Sequence, residues 1–155
     1  MKIDTGLNKD DRQKIADAMA CVLADSYSLY VKTHNVHWNV TGPMFNAVHT
    51  MTEVQYTELA IAVDDIAERI RALGHFAPGS YSKFAKLSEI KDLTDTPPAE
   101  DMVAILVKDH ETVIKTCRAA IALAQEAADE VTAGLLTDRI TIHEKTAWML
   151  RSLVS

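Results

Sequence analysis

Four long segments of this chain carry apolar side chains at the spacing of an α-helix, and this pattern constrains the fold more than any other feature. They run from Asn8 to about residue 36, from Pro43 to Leu73, from Thr96-Pro97-Pro98 to about Ala127, and from about Thr132 to Leu153. The connection over residues 75–96 is long, and such connections usually carry structure, so a short helix is expected around residues 82–87. Two antiparallel pairs of helices predict an all-α four-helix bundle.

The composition agrees with one globular domain over residues 1–155, with residues 1–8 as a short extension before the first helix. Hydrophobic residues make up 48% of the chain and charged residues 25%, which is typical of a globular protein. There are only 5 Gly and 4 Pro, so an all-β fold with many turns is disfavoured. Asn8 is a favoured N-cap residue, and Gly74 is a favoured residue just beyond a helix end.

Charge and cysteine content say less about function. The formal charge of −6 argues against a non-specific nucleic-acid binder, but in most acidic proteins such charge is simply solvated. The first residues are polar and residues 33–52 contain many polar side chains, so neither a signal peptide nor a membrane span is expected. Cys21 and Cys117 form no CxxC motif and are interpreted as buried apolar residues in a reducing compartment, the cytoplasm.

Imidazole and carboxylate side chains cluster in one stretch of the chain. They are His37, His49, Glu53, Asp64 and Glu68. His49 and Glu53 are four residues apart, as are Asp64 and Glu68, so each pair shares a face of the predicted second helix. Glu53 and Asp64 differ by roughly 20° in direction, at about 100° per residue, so both pairs lie on broadly one face. These ligand types suit iron better than a thiolate site would, and they also suit other metals.

The spacing predicts that two subunits share the metal site. His49 and Glu68 would be about 28 Å apart along one helix, too far for a common ion. Positions 49 and 68 have the same midpoint as positions 53 and 64. If this helix packs antiparallel against its own copy, His49 therefore faces Glu68 of the partner subunit, and Glu53 faces Asp64 of the partner subunit. His37, just before the break at residues 39–43, can reach the same place.

Other interpretations of these residues remain open at this stage. Helical Glu and Asp side chains are usually solvated, and Asp64 and Glu68 could pair with Arg69 or Arg71. The histidines could serve only to cap helices or to hold a dimer together. A di-iron centre within one bundle is not expected, because no histidine in the chain follows a Glu by three positions.

The same stretch resembles the signature of the Dps (miniferritin) family. That signature has an H-W-N run followed by G and F, a second histidine twelve residues after the first, and D-x-x-A-E-R. This chain has HNVHWNVTGPMF at residues 34–45, VHTM at residues 48–51 and DDIAER at residues 64–69. The resemblance continues through residues 77–81, 88–90 and 143–151, so it covers nearly the whole chain.

The resemblance implies a ferritin-like bundle that assembles from two-fold dimers into a hollow shell of twelve subunits. It places ferroxidase ligands on His37 and His49 of one subunit and on Asp64 and Glu68 of its two-fold mate, with Glu53 in an additional acidic position. The implied reaction is oxidation of Fe(II), usually by hydrogen peroxide, at a single iron ion or a di-iron centre. Storage of the ferric mineral would then protect the cell from oxidative damage. Trp38, which lies beside the site in the family, would be a packed aromatic or a redox-active group.

Two departures from the family pattern stand out. Many DNA-binding members carry a Lys-rich tail, whereas Lys2 is the only basic residue before the first helix, so weak DNA binding is expected. The alternative function, a DNA-compacting protein with secondary iron chemistry, is correspondingly disfavoured. The family pattern at the pore through which iron enters resembles T-x-D-L-L, whereas this chain has Gly134 at the position of the carboxylate. Four nearby acidic residues are candidates to compensate: Glu126, Asp129, Glu130 and Asp138.

Overall fold

The structure is a computed structural model, and it describes residues 2–155. Five helices follow one another: α1 (Lys9–Asn39), α2 (Phe45–Ala72), α3 (Tyr81–Leu87), α4 (Ala99–Glu126) and α5 (Glu130–Arg151). Within the described residues there is no strand, so the all-α prediction is confirmed, as is the short helix in the middle connection. The helix α1 packs against α2, α3 and α4, and α4 packs along α5. No helix of residues 2–155 is long and apolar enough to cross a membrane.

The helix ends follow local hydrogen-bonding chemistry. The Asn8 side chain accepts a hydrogen bond from the backbone N–H of Asp11, as expected of an N-cap. At the end of α2, Gly74 has φ of +94°, and the N–H of His75 donates to the carbonyl of Ile70, which closes a Schellman turn. A Cβ at position 74 would also meet Cδ1 of Ile3, but that side-chain end can move aside, so the positive φ is what favours glycine there.

Two predicted helix starts were wrong by two residues. Pro43 lies in a turn closed by a bond from the N–H of Phe45 to the carbonyl of Gly42, and α2 begins only at Phe45. The helix α5 begins at Glu130 and not at Thr132, because Asp129 caps it by accepting from the backbone N–H of Thr132. In both cases a turn or cap, which apolar periodicity does not report, sets the boundary.

The core lies along the axis of the bundle and is mostly aliphatic. Its largest fully buried side chains include Ile15, Met19, Leu29, Leu59, Ile66, Leu106 and Leu136. Cys117 is buried as predicted, and burial raises its thiol pKa to about 12. Cys21 is only partly buried, so that prediction was wrong. Charged groups also enter the interior, and the ion pair between Lys32 and Asp109, at 2.8 Å, links α1 to α4.

Candidate metal centre

The junction of α1 and α2 brings His37 and His49 together. The helix α1 continues past the predicted end at residue 36, so His37 lies in its last turn, while His49 lies in the first turns of α2. The two imidazole rings stack with their centroids 3.8 Å apart and an interplanar angle of 16°. The predicted proximity of these two histidines is therefore confirmed within one chain.

Reciprocal hydrogen bonds fix both rings. Nδ1 of His37 lies 2.8 Å from the carbonyl oxygen of His49, and Nδ1 of His49 lies 2.8 Å from the carbonyl oxygen of His37. Because a carbonyl oxygen can only accept, the proton of each neutral ring is on Nδ1. Each Nε2 then keeps its lone pair, which is the tautomer that a metal-binding histidine needs.

Neighbouring side chains that were not singled out from the sequence support the two rings. Phe45 stacks on His49 with centroids 4.9 Å apart, and the Tyr56 ring meets His37 edge-on at 5.0 Å. The hydroxyl of Thr52 lies 3.2 Å from Nδ1 of His37. Thr52 and Tyr56 follow His49 by three and seven residues, so helical spacing from a chosen ligand is the signal that could have found them.

Glu53, Asp64 and Glu68 are exposed on α2. No side chain or backbone group in the described part of the chain donates a hydrogen bond to their carboxylates. Asp64 is 15 residues from His49, about 22 Å along the helix, and Glu68 is further, so these two carboxylates cannot meet the histidines of their own chain. Consistent with this, no three His, Cys, Asp or Glu side chains within residues 2–155 converge on one metal position.

The alternative that Asp64 and Glu68 pair with nearby arginines is not seen. Arg69 instead binds Asp129, with Nη2 at 2.9 Å from one carboxylate oxygen. Arg71 donates to the backbone carbonyl of His75 and lies over the Phe76 ring. Both carboxylates are therefore left free for a partner outside the chain.

The surface around these carboxylates is partly apolar. Val54 and Ile61 lie on one side of α2, where they are 68% and 65% exposed. Beside Asp64 lies a groove of about 920 Å³, formed by α1, α2 and the segment around α3, with walls that include Leu23, Tyr27, Ile61, Tyr81 and Phe84. An apolar patch of this kind next to unpaired carboxylates is typical of a surface that another subunit covers.

An aromatic cluster adjoins the two histidines. Trp38 stacks on His34 with centroids 4.8 Å apart, and His34 lies 4.2 Å from Tyr56. Burial, with a smaller effect from His37, lowers the pKa of His34, so this ring is neutral near pH 7. Trp38 itself is 68% exposed, so it is not a packed core aromatic in this chain.

Comparison with known proteins shows the family of this chain. Residues 16–155 match the family described as a ferritin-like domain. The DNA protection during starvation protein 2 of Bacillus anthracis is 35% identical over 143 residues, which are 92% of this chain and 98% of that protein. The chain belongs to the Dps family of ferritin-like proteins. An uncharacterized low temperature-induced protein of Nostoc sp. is 41% identical over 155 residues, covering 99% of this chain and 87% of that protein.

Solved Dps structures share the fold. The Dps protein of Vibrio cholerae O1, described as a member of a broad superfamily of ferritin-like diiron-carboxylate proteins, superposes with a TM-score of 0.92 at 33% identity, covering 96% of this chain and 94% of that one. A Dps protein of Bacillus brevis gives 0.91 at 32% identity and covers all of both chains. The family resemblance and the ferritin-like bundle are thus confirmed.

Proposed function

We propose that this Dps protein oxidises Fe(II) at sites shared between two subunits and stores the ferric product inside a hollow, cytoplasmic shell of twelve subunits. One subunit contributes the imidazoles of His37 and His49. The two-fold mate contributes the carboxylates of its Asp64 and Glu68, with Glu53 as an additional acidic group. Iron is here a substrate that the site binds, oxidises and releases to the mineral.

The observation that carries the proposal is the reciprocal bonding of His37 and His49. Hydrogen bonds from each Nδ1 to a carbonyl oxygen leave a lone pair on Nε2 of each of two stacked rings. The bond from His49 satisfies a carbonyl in the last turn of α1 and so caps that helix, but capping makes no use of Nε2 on either ring. Two imidazoles completed by carboxylates form a ligand set that suits iron.

The two-subunit arrangement is supported by the register and by the free carboxylates. An antiparallel contact of α2 with its own copy, centred between Glu58 and Leu59, would bring the partner's Asp64 and Glu68 towards His49. It would also cover the exposed Val54 and Ile61. A two-fold contact is isologous, so each dimer would contain two identical sites.

The chemistry follows from these ligands. Two Fe(II) ions give one electron each to a molecule of hydrogen peroxide, which takes up two protons and leaves as two water molecules. The carboxylates stabilise the higher charge of Fe(III), and the imidazoles bind in their neutral form. Because Fe(II) and peroxide are consumed together, formation of hydroxyl radicals is suppressed.

Substitution of the ligands tests this proposal. His49→Ala and Asp64→Ala should each slow peroxide-dependent Fe(II) oxidation sharply and leave the helical content unchanged, because both side chains lie outside the core. Asp65→Ala is the matched control, since Asp65 is an exposed neighbour about 100° further around α2. Wild-type rates in the two ligand variants would refute the site.

Mixing the two inactive variants tests the sharing between subunits. In a dimer of one His49→Ala and one Asp64→Ala subunit, one site loses both ligands and the other regains its full set. Random reassembly should therefore restore about a quarter of the wild-type activity, since half of the dimers are mixed and each has one intact site. No recovery in a correctly assembled mixture would mean that the ligands are not contributed in trans.

A further inference from the structure

The hydroxyl of Thr52 lies against the ring of His37 and makes three polar contacts. Its Oγ1 is 3.2 Å from Nδ1 of His37, 2.7 Å from the carbonyl oxygen of Val48 and 3.1 Å from the carbonyl oxygen of His49. Thr52 is fully buried, so solvent does not compete for these contacts. The hydroxyl therefore connects α2, which carries it, to a histidine at the end of α1.

The directions of these bonds follow from their partners. The hydroxyl has one proton, and its shortest contact, to the Val48 carbonyl, takes that proton. If the hydroxyl donated to His37 instead, an unprotonated Nδ1 would lie 2.8 Å from the His49 carbonyl oxygen, lone pair against lone pair. The proton on Nδ1 of His37 is therefore shared between two acceptors, the His49 carbonyl and the Thr52 hydroxyl.

This second acceptor makes His37 differ from His49. Both acceptors of the His37 proton are on α2, whereas Nδ1 of His49 donates to the carbonyl of His37 on α1. His37 lies in the last turn of α1, and helix ends fray. Because the helix that carries His49 also supplies both acceptors, the stacked arrangement of the two rings depends on the Thr52 hydroxyl.

A purely structural role of Thr52 would not require its contact with His37. A threonine within a helix is commonly satisfied by donating to the carbonyl four residues earlier. Thr57, which is exposed on the same helix, makes such a bond to the Glu53 carbonyl at 2.7 Å. Thr52 makes the equivalent bond to Val48 and keeps a lone pair for the imidazole proton. The bond to His37 is thus a separate property of this hydroxyl, and Thr57 is the matched control.

We propose that Thr52 is a positioning residue for iron binding: by accepting from Nδ1–H of His37, its hydroxyl holds that ring in the tautomer and orientation in which Nε2 can bind a metal ion. This role rests on the proposed function, because the metal ion is the Fe(II) that the site oxidises. Hydrogen bonds to the second nitrogen of a metal-binding histidine fix its ring, and their loss usually weakens metal binding by about 10- to 100-fold. Thr52 acts through His37 and not by contact with iron.

A second pair of histidines, in the bundle core, provides an internal reference for the test. His143 on α5 and His110 on α4 are 1% and 2% exposed, and their Nδ1 atoms are 2.8 Å apart. Burial lowers the pKa values of both rings, that of His110 to about 3, so both are neutral. Nε2 of His143 lies 3.1 Å from the Arg139 guanidinium, which only donates, so the proton of His143 is on Nδ1 and is donated to His110. Exchange of this proton reports opening of the bundle as a whole.

Nuclear magnetic resonance of the metal-free, assembled protein, labelled with ¹⁵N-histidine, tests the bond itself. At about pH 8, where unperturbed imidazoles are neutral, the wild type should show the protons of His37 and His143 on Nδ1. Thr52→Val has a similar shape and lacks the acceptor. In this variant the His37 proton should exchange with water about fivefold faster, the factor that corresponds to the usual net strength of a neutral hydrogen bond. The His143 proton should exchange at the wild-type rate. Equal acceleration at both protons, or none at His37, would overturn the proposal.

Titration of the assembled protein with Co(II) tests the consequence for metal binding. The Co(II) affinity should fall about tenfold or more in Thr52→Val. It should stay at the wild-type level in Thr52→Ser, which keeps the hydroxyl, and in Thr57→Val. Wild-type affinity in Thr52→Val, or an equal loss in Thr52→Ser, would refute the role of Thr52 and leave the metal site standing if His49→Ala still abolishes binding. Co(II) binding that His49→Ala leaves unchanged would instead refute the metal site, and the positioning role with it.

Discussion

Replacing His110 by Asn should make the protein less sensitive to acid. Asn cannot titrate in this range, and its Oδ1 can accept the hydrogen bond from Nδ1–H of His143 that His110 accepts in the wild type. The variant therefore removes a buried proton-binding group and keeps its role as an acceptor. His75→Asn, in the loop after α2, is the matched control.

The expected effect follows from the proton uptake of His110 on unfolding. An unfolded histidine has a pKa of about 6.5, whereas burial lowers that of folded His110 to about 3. Above pH 6.5 both states are neutral and the folded state loses nothing. As the pH falls from 6.5 towards 3, only the unfolded state takes up the proton, and stability falls by about 1.4 kcal/mol per pH unit. At pH 4.5 the loss from His110 alone is about 3 kcal/mol.

Urea unfolding at pH 7.0 and pH 4.5, at equal subunit concentration, measures this loss, because assembly makes the stability depend on concentration. The decrease in unfolding free energy between the two pH values should be about 3 kcal/mol smaller in His110→Asn than in the wild type. The control should match the wild type. Burial also lowers the pKa of His143, but His143 is present in the wild type and in both variants, so its contribution is common to all three proteins. An equal decrease in wild type and His110→Asn would refute the reasoning.

Three further outcomes are expected. Asp129→Ala should lower the unfolding free energy by about 2–4 kcal/mol, because it removes the N-cap of α5 and leaves Arg69 without its carboxylate partner. A urea midpoint equal to that of the wild type would contradict this. Gly134→Asp should speed Fe(II) uptake at low iron concentration. The substitution can be accommodated, because Gly134 is exposed and a Cβ there meets nothing within 4 Å. Stopped-flow rates no faster than those of Gly134→Asn would refute a role for the carboxylate. Plasmid DNA should bind weakly in a gel shift at neutral pH, about 0.15 M salt and with chelator. The chain carries a formal charge of −6, and the Arg12 guanidinium already donates to the carbonyls of Leu7 and Leu73. Tight retardation of the plasmid would contradict this expectation.

Asp129 also shows the limit of inference from the sequence at the expected iron-entry pore. The acidic residues around Gly134 looked interchangeable as substitutes for the missing carboxylate. In the fold, Asp129 is buried against Arg69 and Thr132, so it is not available to attract iron. Glu126, Glu130 and Asp138 are exposed and remain candidates. Only the position of Arg69, 60 residues away in the chain, distinguishes the buried Asp129 from the three exposed acidic residues.

The helices themselves could be predicted because apolar periodicity and capping residues are local. The same holds for the sequence spacing between His37 on α1 and the side chains of His49 and the three carboxylates on α2. The bonds that orient the two histidines could not be predicted, because each depends on where the other residue's carbonyl comes to lie after the turn at residues 40–44. The hydrogen-bonded side chains of Glu58, Arg139, His143 and His110 were missed because they come from three helices, and only Arg139 and His143 are related by helical spacing.

The two histidine pairs of this chain show that the hydrogen-bond partner, and not the residue type, sets what a histidine can bind. His37 and His49 each face a carbonyl oxygen, which takes the proton and leaves Nε2 free to bind a metal. Nε2 of His143 instead accepts from the Arg139 guanidinium and is not free, and its Nδ1–H donates to Nδ1 of His110, which leaves His110 with an N–H group at Nε2. Both pairs are closely spaced, so proximity alone would assign both to metal. The carbonyls beside His37 and His49 support the proposed binding of iron at the subunit surface, whereas Arg139 beside His143 and His110 argues against a metal ion there.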